Sequence, residues 1–93
     1  MTMKLHDLTT EIKDRERRLA PGSETVLWGD YLERMRVVTG VWSPDPAECG
    51  DADVPDDEAA WWQAAYDLWE QRGAEFEDIQ SLYDAVSVPV AGA

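Results

Sequence analysis

Between Asp57 and Val86 the apolar residues recur at the helical period, and this stretch constrains the fold more than any other part of the chain. At about 100° per residue, Trp61, Ala65, Leu68, Trp69, Phe76, Ile79, Leu82, Tyr83 and Val86 fall in one broad arc. Glu70, Glu77 and Asp84 fall opposite, one heptad apart, with Asp67 and Asp78 beside them. One side is therefore oil and the other charge. The remaining question for this stretch is Gly73, because Gly after Arg72 is a usual helix stop. Against a stop, the apolar face keeps its angular phase across Gly73, so we expect one long or kinked helix over about 57–86. A break there, giving a fourth helix from Ala74 to Val86, is the alternative.

Two further helices precede it. Leu5, Leu8, Ile12, Arg15 and Leu19 alternate at three and four residues, the pattern of a helix over about 3–19 with a narrow apolar seam. Glu11 before Arg15 and Asp14 before Arg18 are acid-first pairs at i,i+4, the favourable order. At about two heptads the seam is too short to argue for a coiled coil. It reads as a helix laid against the rest of the chain, with a dimer contact as the alternative. Ala20-Pro21-Gly22-Ser23 breaks that helix and leaves Ser23 as a candidate N-cap. From Glu24 to Val38, Leu27, Trp28, Tyr31, Leu32, Met35 and Val38 share one face, and Gly40 stands at the C-terminal stop. Residues 36–42 are β-branched enough for a short strand to compete there.

Residues 39–56 read as a long acidic loop, with Pro44, Pro46 and Pro55 and no periodicity. Asp51, Asp53, Asp56, Asp57 and Glu58 cluster in it and beside it, but a calcium loop fails: Pro55 holds the next alternate position and the turn glycine is missing. Asp56 or Asp57 is placed to cap the third helix. The expected fold is all-α, a small three- or four-helix bundle in one domain over 1–93, with the acidic proline-containing loop and a short irregular tail over 87–93.

Charge carries the functional argument. Residues 1–40 hold seven basic and seven acidic side chains, whereas residues 41–93 hold Arg72 alone against thirteen acids, so the whole net charge of −12 belongs to the second half. Direct binding to DNA, RNA or anionic lipid is not expected, because phosphates require Lys and Arg. A basic protein partner is. The single cysteine, Cys49, allows no disulfide within the chain and no Cys-based zinc site. No Ser/His/Asp or Cys/His arrangement and no phosphate loop is present, and His6 is the one residue titrating near neutrality. We therefore expect a protein that is not an enzyme and has no cofactor and no metal. The first residues lack a signal-peptide run and no stretch of eighteen apolar residues occurs, so a cytoplasmic protein, monomer or homodimer, is expected.

Trp61 and Trp62 sharpen the site. Adjacent helical residues point about 100° apart, so one of the two must leave the centre of the core. Trp62 and Tyr66 lie nearest the acidic side and are expected as interface anchors. Carboxylates three or four residues apart on a helix stand about 5–6 Å apart, a row a nucleic-acid-binding protein could accept in place of phosphates. The candidate partner-binding set is thus Asp67, Glu70, Glu77, Asp78, Asp84, Trp62 and Tyr66. In size, segregated charge and lack of catalytic motifs the chain resembles the small acidic proteins that phages encode against host defence nucleases, of anti-CRISPR or anti-restriction type. That resemblance implies competition: the acidic face occupies the Lys/Arg-lined nucleic-acid channel of a binding protein or nuclease complex, and Trp62 and Tyr66 anchor it. The alternative is an adaptor or assembly protein, a phage structural component or antitoxin-like partner, that binds through its Trp-rich face.

Overall fold

The computed structural model describes residues 2–41 and 45–86, apart from the Pro46 side chain, so the 87–93 tail and Trp42 lie outside the described residues. It is a mainly helical molecule with, among the described residues, four α-helices: α1 (Leu5–Leu19), α2 (Val26–Thr39), α3 (Asp56–Arg72) and α4 (Ile79–Ala85). Two three-residue strands, β1 (Thr2–Lys4) and β2 (Asp53–Pro55), pair antiparallel with Met3 opposite Val54. The helical expectation for residues 3 and 4 is therefore corrected: they are strand. So is the loop over 39–56, which contains β2 and a 3-10 turn over Pro46–Glu48. The strand alternative at 36–42 fails over residues 36–39, which are helical.

The small ladder has a local reason to exist. Lys4 at the N-cap of α1 makes no side-chain cap, and the first helical N–H, that of Leu5, donates instead to the Ala52 carbonyl at 2.9 Å. The strand pair thus completes the helix start that no Ser, Thr or Asp supplies. At the centre of the pair, Val54 is fully buried beneath the helices.

α1 buries Leu5, Leu8, Thr9, Ile12 and Glu16. α2 begins at Val26, two residues later than expected, with Thr25 rather than Ser23 in the N-cap position. Thr25 turns its own N–H and hydroxyl to the Glu16 carboxylate and leaves the cap to backbone. Leu27, Trp28, Tyr31 and Met35 form the buried side of α2. Gly40 closes it in the left-handed region at φ 78°, its N–H donating to the Arg36 carbonyl at 2.9 Å, a conformation that glycine adopts without steric cost. Each fully buried Leu or Ile contributes about 1.5–3 kcal/mol. The core formed by α1, α2 and α3 is what holds the remaining elements in place.

Gly73 settles the question left by periodicity: the helix stops there. Residues 73–75 form a 3-10 turn, Phe76 is extended, and α4 starts after Asp78, whose carboxylate accepts the Ser81 N–H at 2.8 Å. A Cβ at position 73 would lie 3.3 Å from the Trp69 ring, so glycine allows the chain to turn close against that indole. The expectation of one helix over 57–86 is corrected. Phase continuity misled because a short connection brings Leu82 (fully buried), Ile79 and Tyr83 back onto the same core. Seven residues do not hold a helix by themselves; α4 is held by the Asp78 cap and by Leu82.

Candidate functional site

α3 is loaded with residues of both kinds, and its buried positions are Ala59, Trp62, Ala65 and Tyr66. Spaced at three, three and one, they set small alanines beside large rings on the side facing α1 and α2. Trp61, Leu68 and Trp69 pack at the edge of the core. The border tryptophan is Trp61, half-buried against Tyr83 with ring centroids 5.3 Å apart. Trp62 meets Tyr31 edge to face at 5.5 Å.

Two of the expected anchors are thus overturned. Trp62 is 4% exposed and Tyr66 is fully buried, so neither side chain is presented to a partner. The Tyr66 hydroxyl donates to Glu16 Oε2 at 2.7 Å. Burial, together with that hydrogen bond and the Glu16 charge, pushes the Tyr66 phenol far above its ordinary value. Glu16 itself is 4% exposed and accepts from Tyr66, from the Thr25 N–H at 2.8 Å and from the Thr25 hydroxyl. A buried carboxylate needs such partners. Glu16 was missed as a core residue although it continues the line Leu5, Leu8, Ile12 at helical spacing, and that position was the available signal.

The acids divide into two groups. On α3, Asp67 and Glu70 face α1. Arg15 Nη1 lies 2.5 Å from Asp67 Oδ1 and 4.0 Å from Glu70 Oε2, and Arg15 Nε lies 3.6 Å from Glu11 Oε2. Arg18 reaches Glu70 Oε1 at 3.5 Å. Burial works against the Arg15 charge, but the Asp67 hydrogen bond and the surrounding carboxylates raise its pKa above the ordinary value. Four of the seven basic residues of the first forty thus close on acids of the second half, Lys4 on Asp53 at 3.0 Å and Arg34 on Glu58 joining Arg15 and Arg18, while Arg17 pairs with Asp14 on its own helix. Charge balanced within one half of the sequence is spent across the fold.

Around α4 the pattern is different. Glu77 is exposed in the connection before the helix. Asp78 serves as the N-cap, its pKa lowered by the Ser81 hydrogen bonds. Asp84 accepts from Gln80 Nε2 at 3.0 Å. Among the described residues no Lys or Arg forms an ion pair with these three. Arg72, the nearest base in sequence, pairs with Glu75 at 2.5 Å. Because of the break at Gly73, the row from Glu70 through Glu77 to Asp84 is not a line along one helix but two groups on two elements.

The remaining chemistry is sparse. Cys49 is buried, its pKa raised by burial and then by Asp45 and Glu48, as befits an unreactive thiol. Among the described residues no three His, Cys, Asp or Glu side chains are grouped to hold a metal ion. An open hollow of about 520 Å³ beside α1 has Lys13, Arg17, Glu16 and Glu24 in its lining, cations and carboxylates in equal number. No protein-family model, no curated protein and no solved structure matches the chain.

Proposed function

We propose that the chain is a non-enzymatic, acidic protein-binding module whose α4 end engages a basic surface of a nucleic-acid-binding protein or nuclease complex and blocks it by standing in for nucleic acid. The observation that carries this reading is the pairing pattern. Lys4, Arg15, Arg18 and Arg34 are turned onto carboxylates of the second half, and Glu77, Asp78 and Asp84 are without an ion-pair partner among the described residues. Three carboxylates on a short, capped element offer a compact negative patch, and the net charge of −12 adds long-range attraction to a basic target. Val26 and Val37 are the only large hydrophobic residues exposed among those described, which favours a charge-driven contact. Among the described residues no helix is long and apolar enough to cross a membrane. An inhibitor of anti-CRISPR or anti-restriction type, acting in the cytoplasm of a bacterial host as monomer or homodimer, is the form of this proposal nearest to the sequence profile.

Asp67 and Glu70 serve this reading less well than Glu77, Asp78 and Asp84, because α1 already occupies them. The adaptor alternative, binding through a Trp-rich face, loses support with Trp62 and Tyr66 inside the core. The deciding measurement is affinity capture from the native host with washes of rising ionic strength. Retention that falls steeply with salt, is displaced by DNA or RNA, and disappears in a Glu77→Lys/Asp84→Lys variant of unchanged circular dichroism is the expected result. Salt-indifferent retention that survives the double variant would overturn it in favour of the adaptor.

A further inference from the structure

The outward stripe of α2 is unlike the rest of the surface. Val26 is 52% and Val37 is 72% exposed, and both stand on this one helix. Gly29 and Glu33 lie between them at intervals of three and four residues, so the four residues share one line along the helix. Both Gly29 and Glu33 are exposed. Gly29 is helical and does not use a positive φ, and a Cβ built on it meets nothing within 4 Å. A glycine inside a helix weakens it relative to alanine, and no feature of this fold requires one at position 29. Bare backbone at the centre of an exposed stripe, bracketed by two exposed valines, is the form of a surface that another backbone approaches closely.

We propose that this stripe docks a basic amphipathic helix of a partner protein, with apolar side chains seated on Val26 and Val37, a Lys or Arg opposite Glu33, and the closest approach of the two helices at Gly29. Helix axes approach more closely where the contact residues are small, and the spacing of anchors along a groove is how such helices are read. Charge selects the partner's sign. Glu33 lies on the stripe with Glu24 exposed just before the helix, and Asp30 flanks it while accepting from the Tyr83 hydroxyl at 2.5 Å. Of the bases on α2, Arg34 is turned away onto Glu58. A second copy of the chain fits poorly. Laid antiparallel so that Val26 meets Val37, it sets Glu33 against Asp30, and each copy carries a net charge of −12. Nucleic acid and anionic lipid are disfavoured by the same charge.

The test titrates the isotope-labelled full chain with an amphipathic helical peptide of Leu and Lys, and in parallel with its Leu and Glu counterpart. Saturating amide shifts centred on Val26, Gly29, Glu33 and Val37 are expected with the first peptide and none with the second. Gly29→Gln is the informative variant, since the site has room for a side chain. It should raise the thermal midpoint by several degrees and weaken the peptide at least tenfold, an opposition that a purely structural glycine would not produce. Shifts confined to Glu75–Asp84, no shifts at all, or an unchanged affinity in Gly29→Gln overturn the proposal. So does a dimer in sedimentation that Val37→Asp dissociates, because the stripe would then belong to a second copy. None of Asp67, Glu70, Glu77, Asp78 or Asp84 lies on this stripe, so a negative outcome for the Glu77→Lys/Asp84→Lys variant leaves the result standing.

Discussion

α3 and the region around α4 carry acids at similar density and put them to opposite use. On α3, Asp67 and Glu70 meet Arg15 and Arg18 of α1 and tie two helices that are about fifty residues apart in sequence. Around α4, Glu77 and Asp84 meet no base among the described residues, and Asp78 spends its charge on a helix start. The lesson is that a linear charge count assigns carboxylates to the wrong task. The imbalance between the two halves is real in sequence, yet the fold draws Lys4, Arg15, Arg18 and Arg34 of the first half across to the second. What remains for a partner is decided by pairing in space.

The largest expected effect tests whether α3 turns its rings inward. Trp62→Ala should lower stability by about 3–5 kcal/mol, the usual cost of emptying a core aromatic site, as read from urea unfolding. A loss under about 0.5 kcal/mol would return Trp62 to the surface and break the contrast. Next comes alkaline pH. Burial holds the Tyr31 and Tyr66 phenols above their ordinary value, so the unfolded chain releases these protons first. The contribution is full below about pH 10 and is lost as pH rises above it, with a slope of up to about 1.4 kcal/mol per pH unit for each group. Tyrosinate absorbance should therefore appear with unfolding, not before it; titration of all three tyrosines in the folded state would contradict the burial.

Smaller effects separate the two acidic groups. Arg15→Ala should cost about 1–2 kcal/mol because it leaves three carboxylates facing one another, whereas Glu77→Lys with Asp84→Lys should change stability by no more than about 0.5 kcal/mol. Equal losses would mean that both groups are structural. The last concerns the α4 cap. The lowered Asp78 pKa means that its contribution is present above the ordinary carboxylate range and is lost as pH falls through the folded value. Protection of the α4 amides, relative to their intrinsic exchange rates, should therefore fall below about pH 4 before α1 or α2 loosens. Simultaneous loss of protection in all helices would show that the cap is not what limits α4.

Much of the helical content was legible: the seams of α1 and α2, the stop at Gly40 and the mainly helical class follow from periodicity and end signals. What failed did so for identifiable reasons. The helix through Gly73 was read from phase, but phase also survives a short turn, and Asp78 three residues before Ser81 was the cap signal that outweighed it. The orientation of α3 was read from a broad apolar arc, whereas both sides of the helix are covered, one by α1 and α2 and the other by α4. That leaves Trp62 at the centre and Trp61 at the border. β1 and β2 were invisible because three residues carry no period. Of the candidate partner-binding residues, Glu77 and Asp84 are exposed as the spacing implied, and Asp67 and Glu70 could be assigned to Arg15 and Arg18 only once α1 was seen beside α3.

The two-strand ladder bears on the order in which the molecule assembles. Thr2–Lys4 pairs with Asp53–Pro55, and the Leu5 N–H donates to the Ala52 carbonyl, so the start of α1 is completed by residues about fifty positions downstream. Closing a loop of that length costs entropy before any contact repays it, and the cost rises only slowly, by about 0.6 kcal/mol per doubling. α2 can form from its own sequence, but the start of α1 and the start of α3 must arrive together. Folding should therefore be slower than that of a helical protein with only local contacts, and lengthening the 43–52 connection should slow it a little further while leaving the unfolding rate nearly unchanged.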